Sequence, residues 1–448
     1  MVARALAIWF VVLALLTGSH VASEGDDEMK SQVQQLCQAY LEGFGADTTN
    51  LVYHHRLNGP RGLEALSSPE DVAARIVRGK PMPYGYGSGI QDAALENGQL
   101  LYALCDAYEA TGDEYFADTA RRIFSGLKLV GTVSSFPGFV PRGPHPDGKS
   151  YYPNSSRDQH ATYVYALWRY YRSPLATDED KTFIADFLDA FARRMEGNAW
   201  HVRVEDNSEI AHVGFSWRQR AFPGVVSLMG TLSAVCEVTK AEEWRQLLEQ
   251  YSQEDSGFRW EVLQADRASK RGPLTLYSNQ FAMDLDALSS ILTEPDRQQQ
   301  IKDYSRAFAE RTLRTNVFDE DSWRRLDWAD KWSEEETQEA LEPFGLSLDE
   351  ETTVFDLYGA FDAEQWQSDN RKVRSVSGKL CFGIPTVAFH CALLSEEPEL
   401  VEEVAPFVRD MVEQMLAHGD AYSYGENFNR SVVLGLHLVA LEGGNTNG

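Results

Sequence analysis

The chain has 448 residues, of which 43% are hydrophobic and 24% charged, a composition typical of a folded globular protein. Its 68 acidic residues outnumber the 41 basic ones, and the resulting net charge of −27 argues against nucleic acid or an anionic membrane as a partner. The five cysteines are widely spaced, which excludes a disulfide scaffold. Because the net charge is so negative, an acidic ligand would need arginines gathered in one pocket.

The first 23 residues have the pattern of a signal peptide, with Arg4, an apolar run over 5–16 and then small residues. We therefore predict a mature chain over 24–448 that forms a single domain and is secreted or periplasmic, with an uncleaved anchor as the alternative. No later stretch reaches about 18 uninterrupted apolar residues, so no other membrane contact is expected. Asn154 and Asn429 begin N-glycosylation sequons, which matter only in a eukaryotic source.

Most segments with a clear hydrophobic period are predicted to be helices, and most of these helices follow one another in pairs. The first helix of a pair is apolar on nearly all sides, whereas the second has a single apolar stripe, such as Phe183, Phe187 and Phe191. The twelve predicted helices cover residues 29–44, 92–110, 114–129, 157–171, 178–196, 223–238, 242–252, 279–292, 295–314, 383–394, 398–417 and 428–441.

Twelve helices that alternate between apolar and amphipathic predict an all-α fold, an (α/α)6 toroid of six helical hairpins. The apolar helices would form an inner ring, and the unpaired first and last helices would pair with each other. An open solenoid is the alternative. It requires polar caps at both ends, and the apolar segment 428–441 does not resemble one.

Two stretches depart from the helical pattern. Residues 131–156 are rich in Gly, Pro and aromatics, which predicts an ordered loop of the kind that often carries function. Residues 316–378 are strongly acidic but contain several tryptophans, among them Trp323 and Trp328. We predict that this insertion packs over the ring, either as a lid or sugar-stacking surface or as a docked structural element.

Loops that enter the inner helices of such a ring meet at one mouth, so polar residues at these helix starts are candidate ligands. A helix cap accounts for one polar residue at each start, and these starts carry several. The arginines could bind a uronate carboxylate, and the aromatic residues could stack on sugars. The predicted substrate-binding residues are Tyr84, Tyr86, Glu96, Asn97, Arg157, Gln159, Trp217, Arg218, Arg220, Asn279, Gln280, Tyr424, Glu426, Asn427 and Arg430.

Cleavage of a glycosidic bond needs a proton donor and a base or nucleophile, usually two carboxyl groups in different environments. Asp92 and Asp158 are the preferred pair because both lie at starts of inner helices, although either could simply cap its helix. His160 lies in the same first turn as Asp158 and is predicted to be a catalytic base, with a polar lining residue as the alternative.

The sequence contains no nucleotide-binding or serine-hydrolase motif of the GxGxxG, GxxxxGK[ST] or GxSxG type in a fitting context. His390 and Cys391 are adjacent, but they are not part of a CxxC or HExxH pattern. We therefore predict neither a metal nor a cofactor.

Two motifs resemble those of the six-hairpin glycosidase superfamily, and within it the unsaturated glucuronyl and rhamnogalacturonyl hydrolases. The first comprises Asp92, Asn97, the pair Leu100-Leu101, the turn Thr111-Gly112-Asp113 and Tyr115. The second is Ser156-Arg157-Asp158-Gln159, which is similar to the family's Ser-Arg-Gly-Gln except that Asp158 replaces the glycine.

The resemblance implies an enzyme that hydrates the 4,5-unsaturated uronyl group of an oligosaccharide, with Asp92 as the acid/base. We therefore predict a glycoside hydrolase for uronate-containing or unsaturated oligosaccharides. Two alternatives stay open. One is a polysaccharide lyase that uses His160 or Tyr163 as the base and an arginine or Asn154 to neutralise the uronate. The other is a ring that binds sugars without catalysis.

Overall fold

A computed structural model describes residues 22–268, 279–313, 383–419 and 425–446, together with positions 335, 338, 339 and 342. The predicted signal segment up to residue 21 lies outside the described residues. The same holds for the predicted insertion over 316–378, apart from the four isolated positions, for Tyr424, and for the side chain of Asn427.

All twelve predicted helices are present in the described residues, and their bounds differ from the predicted ones mostly by a few residues. Two short helices, α2 and α9, are additional. The helices are α1 (Ala22–Phe44), α2 (Pro69–Ala74), α3 (Ala93–Thr111), α4 (Glu114–Thr132), α5 (Arg157–Arg172), α6 (Asp178–Gly197), α7 (Phe222–Thr239), α8 (Glu242–Val262), α9 (Ala265–Ala268), α10 (Asn279–Ile291), α11 (Pro295–Leu313), α12 (Gly383–Ser395), α13 (Pro398–His418) and α14 (Gly425–Thr446).

Local signals in the sequence account for several of these helix ends. Gly112 ends α3 in the left-handed region at φ 66°, and the Asp113 carboxylate accepts from the backbone N–H of Tyr115 to begin α4. Thr177 and Asp180 form a reciprocal capping box at the start of α6. Because these signals are local, the turns between paired helices could be predicted from the sequence.

The long helices form a closed double ring. The inner helices α3, α5, α7, α10, α12 and α14 each pack against the next, and α14 packs against α3 to close the circle. Outside them, α4, α6, α11 and α13 each contact two inner helices, whereas α8 packs on α7 and α1 packs on α14. The predicted (α/α)6 toroid and the predicted pairing of the two ends of the chain are therefore confirmed.

The hydrophobic core lies between the two rings. Inner helix α7 is buried on nearly all sides and is the one helix in the described ranges long and apolar enough to cross a membrane. Of that helix, 78% is buried inside the protein, as the position between neighbouring inner and outer helices requires. Outer helix α4 instead buries one stripe, which includes Phe116, Ile123 and Leu127.

Two antiparallel hairpins precede the first inner helix. Strands β1 (Gly45–Ala46) and β2 (Leu51–Val52) pair directly after α1, and β3 (Ile76–Val77) pairs with β4 (Lys80–Pro81). The predicted loop over 131–156 follows α4 and contains an isolated antiparallel bridge between Pro144 and Tyr151. These segments surround the starts of α3 and α5.

Helix α8 is longer than predicted and contains a kink. Backbone angles are non-helical from Glu254 to Gly257, with φ of 49° at Asp255, 61° at Ser256 and 81° at Gly257. The helix then resumes and buries Phe258 and Trp260. The helix was predicted to end at Ser252 because the period of apolar residues is lost in the polar run there. In the structure the chain changes direction at the kink and then continues as a helix.

Candidate active site

The carboxyl group of Asp92 lies at the start of α3, where the ends of two inner helices meet. Its Oδ1 accepts from Nε2 of Gln159 at 2.8 Å and from Nη1 of Arg142 at 3.3 Å. The Asp92 side chain makes no capping hydrogen bond to its own helix, so the capping interpretation does not account for it. The side chain stays 19% exposed and can therefore meet a ligand.

The pKa of the Asp92 carboxyl group is shifted towards neutral pH. Burial raises the pKa of Asp92 to about 6, while the cations of His54 and Arg142 act in the opposite direction and the carboxylates of Asp158 and Glu96 add to the rise. A carboxyl group with such a pKa is partly protonated near neutrality. It can therefore donate a proton as a general acid and accept one as a base.

Gln159 fixes the start of α5 to the start of α3. Its side chain is fully buried, its amide oxygen accepts from the backbone N–H of Leu95 at 2.8 Å, and its amide nitrogen donates to Asp92. Both ends of the amide are thus used inside the protein. Gln159 positions Asp92 and leaves little hydrogen-bonding capacity for a sugar.

Arg142 comes from the loop over 131–156 and its side chain is only 2% exposed. Besides Asp92, it donates to the hydroxyl of Tyr86 at 3.4 Å, and its guanidinium lies 4.6 Å from the centre of that ring. Backbone bonding ties the same residue to α3, since the N–H of Ala94 donates to its carbonyl at 2.8 Å. The predicted functional loop therefore supplies the cation that faces Asp92.

A buried ion pair lies one helical turn from Asp92. Nδ1 of His54 donates to Oε1 of Glu96 at 2.5 Å, and both side chains are 2% exposed. Burial alone would lower the pKa of His54, but the Glu96 carboxylate outweighs it and raises this pKa to about 9. Glu96, predicted to bind substrate, is therefore the partner of a cationic histidine, and its second oxygen is buried without a hydrogen bond among the described residues.

Asp158 and Arg157 occupy the first turn of α5. The Asp158 side chain is half-buried and accepts no side-chain hydrogen bond in the described part of the chain. Nε of Arg157 donates to the Gln280 side chain at 2.9 Å, and its guanidinium lies 4.6 Å from the ring centre of Phe215 and 5.0 Å from that of Phe281. Its two Nη groups make no hydrogen bond to the described residues, so they can bind an anion.

Aromatic residues form a wall beside this group. The rings of Tyr84 and His212 stack with centroids 3.8 Å apart and planes 9° from parallel, and Tyr86 meets both rings edge-on at 5.3 Å. Tyr84 and Tyr86 are half-buried, whereas His212 is exposed. Flat, partly exposed rings of this kind are suited to sugar stacking.

A second buried carboxyl lies deeper, on α10. Asp284 is 2% exposed, its Oδ2 accepts from the Ser227 hydroxyl at 3.0 Å, and burial raises its pKa to about 8. Asn279 and Gln280 begin the same helix and are both 2% exposed, with Asn279 donating to the Tyr102 hydroxyl at 3.2 Å. Gln280 is thus a partner of Arg157, and Asn279 of a core tyrosine.

Three of the predicted site residues lie in the core instead of at the mouth. His160 is 1% exposed and packs edge-on against Phe191 and Trp217, and burial lowers its pKa to about 3. Trp217 is itself fully buried. The amide of Asn97 is fully buried and is used by the backbone of Val52 and Ala93. Their side chains point into the packing between elements, which helical period alone does not reveal.

Arg218, Arg220 and Arg430 have carboxylate partners from their own chain. Arg218 pairs with Glu254 at 2.5 Å, and Arg220 pairs with Asp255, so both arginines bind the kink of α8. Arg430 pairs with Glu426 at 2.5 Å, one turn apart on α14. These arginines were predicted to bind a uronate, and the ion pairs satisfy at least part of their charge.

Sequence reasoning missed two residues of this site, namely Arg142 and His54. Arg142 is flanked by Pro141 and Gly143 inside the loop that was predicted to carry function, and this context is a usable signal. His54 lies in an irregular segment and is brought to the inner helices only by the tertiary structure. Within the described ranges, no group of three or more His, Cys, Asp or Glu side chains is arranged to hold a metal ion.

No protein-family model and no curated protein matches the chain. Among solved structures, it is similar to a sugar epimerase from a ruminal bacterium, with 11% identity, a TM-score of 0.40, and coverage of 79% of this chain and 85% of that one. It is also similar to cellobiose 2-epimerase from Spirochaeta thermophila, with 10% identity, a TM-score of 0.40, and coverage of 93% and 98%. At this level of similarity, the activity of those enzymes does not transfer to this chain.

Proposed function

We propose that the mouth of the ring is a carbohydrate active site and that the protein is a glycoside hydrolase for uronate-containing or unsaturated oligosaccharides. The observation that carries this proposal is the pairing of Asp92, whose pKa is raised to about 6, with the half-buried Asp158 on the adjacent inner helix. Two carboxyl groups in different environments can divide the acid and base roles that glycoside hydrolysis requires.

For a 4,5-unsaturated uronyl group, the chemistry would run as a hydration. Protonated Asp92 donates its proton to C4, which leaves an oxocarbenium ion that includes C5 and the ring oxygen. A water molecule attacks C5 and loses its proton to a carboxylate, either Asp158 or the newly formed Asp92 carboxylate. The resulting hemiketal opens and releases the rest of the oligosaccharide, so that one water is consumed per bond broken.

Arg157 would bind the uronate carboxylate. Its Nη groups are not used by the described residues, and Phe215 and Phe281 hold its guanidinium plane in place. A guanidinium that is held in one orientation can bind a carboxylate through two parallel hydrogen bonds. This arrangement explains how a chain with a net charge of −27 could take an anionic sugar.

The lyase alternative receives less support from the geometry. Its base would be His160 or Tyr163, but His160 is 1% exposed, and the fully buried Tyr163 hydroxyl donates to the carbonyl of Leu127 at 2.8 Å. The amide oxygen of Asn154 accepts from the backbone N–H groups of Ser155 and His212. These three side chains therefore do not converge on one exposed point.

The test follows the ultraviolet absorbance of the conjugated uronyl double bond. Purified protein is incubated with lyase-generated unsaturated oligosaccharides and, separately, with intact polyuronides. We expect absorbance to fall on the oligosaccharides, and the rate to drop by about 10²–10⁴-fold in Asp92→Asn and in Asp158→Asn. Exposed Asp186 on outer helix α6 provides the control variant Asp186→Asn, which should keep the wild-type rate.

Each other outcome favours a different function. Rising absorbance on intact polymer would replace the hydrolase by a lyase. Sugar binding that survives Asp92→Asn, with no turnover of any substrate by the wild-type protein, would leave a binding protein. Turnover that is unchanged in both Asp92→Asn and Asp158→Asn would rule out the proposed pair of carboxyl groups.

A further inference from the structure

The β3–β4 hairpin carries a group of three exposed cations. Arg75 directly precedes β3, Arg78 lies in the turn, and Lys80 begins β4. All three side chains are exposed, and none makes an ion pair or hydrogen bond to the described residues. Many other exposed arginines are paired, for example Arg121 with Asp118 and Arg193 with Asp189. An unpaired cationic group is unexpected on a chain whose net charge is −27.

Two of these cations have backbone conformations that are unfavourable for residues with a side chain. Arg75 has φ of 57° and Arg78 has φ of 51°, both in the left-handed region that favours Gly or Asn. Arg78 and Gly79, at φ 74°, together form the kind of two-residue turn in which both central residues have positive φ. Asn or Gly would fit both positions at a lower cost in free energy than arginine.

Hydrogen bonds place the hairpin beside the candidate active site. The N–H of Met82 donates to the Arg75 carbonyl at 2.9 Å, which leads the chain directly to Tyr84 and Tyr86. The Tyr152 hydroxyl donates to the Ile76 carbonyl at 2.8 Å, and Tyr152 shortly precedes α5. The cationic hairpin therefore lies at the rim formed by the aromatic wall and the loop that enters α5.

Charges on both sides of the hairpin agree with this position. Burial lowers the pKa of His55 well below its usual range, and the cations of His54 and Arg78 act in the same direction. The hairpin thus reaches the segment that holds the His54–Glu96 ion pair. On the other side, hydrogen bonds from Ser208 lower the pKa of Asp206, in the loop that continues to His212, and the cation of Arg75 adds a smaller effect in the same direction.

We propose that Arg75, Arg78 and Lys80 bind carboxylates of an anionic polysaccharide chain that extends out of the mouth. This inference rests on the proposed function, because it takes the uronate-binding site as the point where the chain enters. It adds that the substrate is part of a longer polyuronide and not only a short oligosaccharide. Three exposed cations on a short, turned hairpin can meet successive carboxylates along such a chain.

The test measures binding of polygalacturonate by affinity electrophoresis, in an Asp92→Asn background so that no bond is cleaved. The triple variant Arg75→Gln, Arg78→Gln and Lys80→Gln should bind about tenfold more weakly and lose most of the salt dependence of binding. The control triple variant Arg121→Gln, Arg193→Gln and Arg306→Gln changes the net charge equally on outer helices and should bind as before. Neutral hydroxyethylcellulose reports any effect that is independent of charge.

Equal affinities of the two triple variants for polygalacturonate would overturn the inference, and so would a parent protein that does not bind this polymer. Thermal unfolding of each variant checks that the fold is intact. Turnover of unsaturated disaccharide by the wild-type protein tests the proposed function separately. Binding that depends on the hairpin, without any such turnover, would contradict the proposed hydrolase activity but would support the proposed polyuronide-binding surface.

Discussion

At the scale of single residues, the site depends on how the proton of Asp92 is held. Arg142 and Gln159 contact its carboxylate directly, and the cation of His54 acts from the buried pair with Glu96. A general acid must be protonated to act, so the rate of the proposed reaction should fall as the pH rises through the pKa of Asp92, near 6. A substitution that changes the pKa of Asp92 should therefore shift the pH at which the rate falls, which is the alkaline limb of the pH profile.

His54→Gln should move the limb to higher pH. The cation of His54 stabilises the Asp92 carboxylate and so lowers its pKa. Removal of this cation therefore raises the pKa of Asp92. We expect a shift of roughly one pH unit in the profile of kcat/KM. His201→Gln, at a half-buried histidine outside this group, is the control, and identical profiles in both variants would contradict the argument.

Asp284→Asn should stabilise the protein increasingly as the pH rises. The pKa of Asp284 is raised from 3.8 to about 8, so this carboxyl takes up a proton on folding, and wild-type stability falls as the pH rises between these values. The variant removes this loss, of order 1 kcal/mol per pH unit, and its amide can still accept from Ser227. Urea unfolding at pH 5 and pH 8 measures the effect, with exposed Asp186→Asn as control. Parallel pH dependence in wild type and Asp284→Asn would refute it.

At the scale of elements, the kink of α8 joins the outer ring to the rim of the mouth. Glu254 and Asp255 pair with Arg218 and Arg220, which follow the loop that carries His212 and Phe215. A hairpin of two straight helices would not present these carboxylates. The kink therefore ties a loop of the candidate active site to the outer ring.

Glycine should relieve the backbone strain of this kink. Ser256 has φ of 61°, which costs a residue with a side chain roughly 1 kcal/mol relative to glycine. Ser256→Gly should therefore raise the free energy of unfolding by up to about that amount. Gln250→Gly, at an exposed position in the regular part of α8, should lower it by about 0.5–1 kcal/mol. Chemical denaturation compares the two, and changes of the same sign would contradict a strained kink.

At the scale of the whole molecule, closure of the ring depends on close approach between inner helices. A Cβ atom on Gly230 of α7 would lie 2.3 Å from the Asp284 carbonyl oxygen and 2.6 Å from the Asp284 Cα on α10. Both atoms belong to the backbone, so no side chain can move aside. The two helices would have to separate, and the change would pass to the neighbouring contacts of the ring.

Gly230→Ala should therefore lower the free energy of unfolding by about 1–3 kcal/mol. Gly197, at the end of outer helix α6, has no atom within 4 Å of a Cβ, and Gly197→Ala should be neutral or slightly stabilising. Thermal and urea unfolding of both variants would measure the difference. Equal stabilities would show that the inner helices adjust freely.

Much of the fold was predictable because the signals for hairpins are local. Period, caps and turns mark the helices, and their alternation between apolar and amphipathic faces marks the two rings. The candidate site was predictable only in part. Asp92, Asp158 and Arg157 were found because helix starts face the mouth, whereas His160 and Trp217 lie at similar positions and face the core.

The two N-glycosylation sequons also show that a sequence motif does not reveal whether its side chains are buried. Asn154 and Asn429 satisfy the glycosylation pattern, but they are 7% and 0% exposed, and Asn429 donates to the Glu96 carbonyl at 2.9 Å. A short motif reports residue identity, whereas glycosylation also requires access. Both amides are buried in the folded ring, so the native structure has no room for a glycan at either position.

The sequence by itself determined the helices, their pairing and the closed ring, since each depends on contacts within a hairpin or between neighbouring hairpins. Only the tertiary structure decided which polar side chains meet. His54, Arg142 and Asp92 come from separate segments, and the pKa of Asp92 is a property of that meeting. Charge interactions act through space between groups that the fold brings together, so no pattern along one segment could have encoded them.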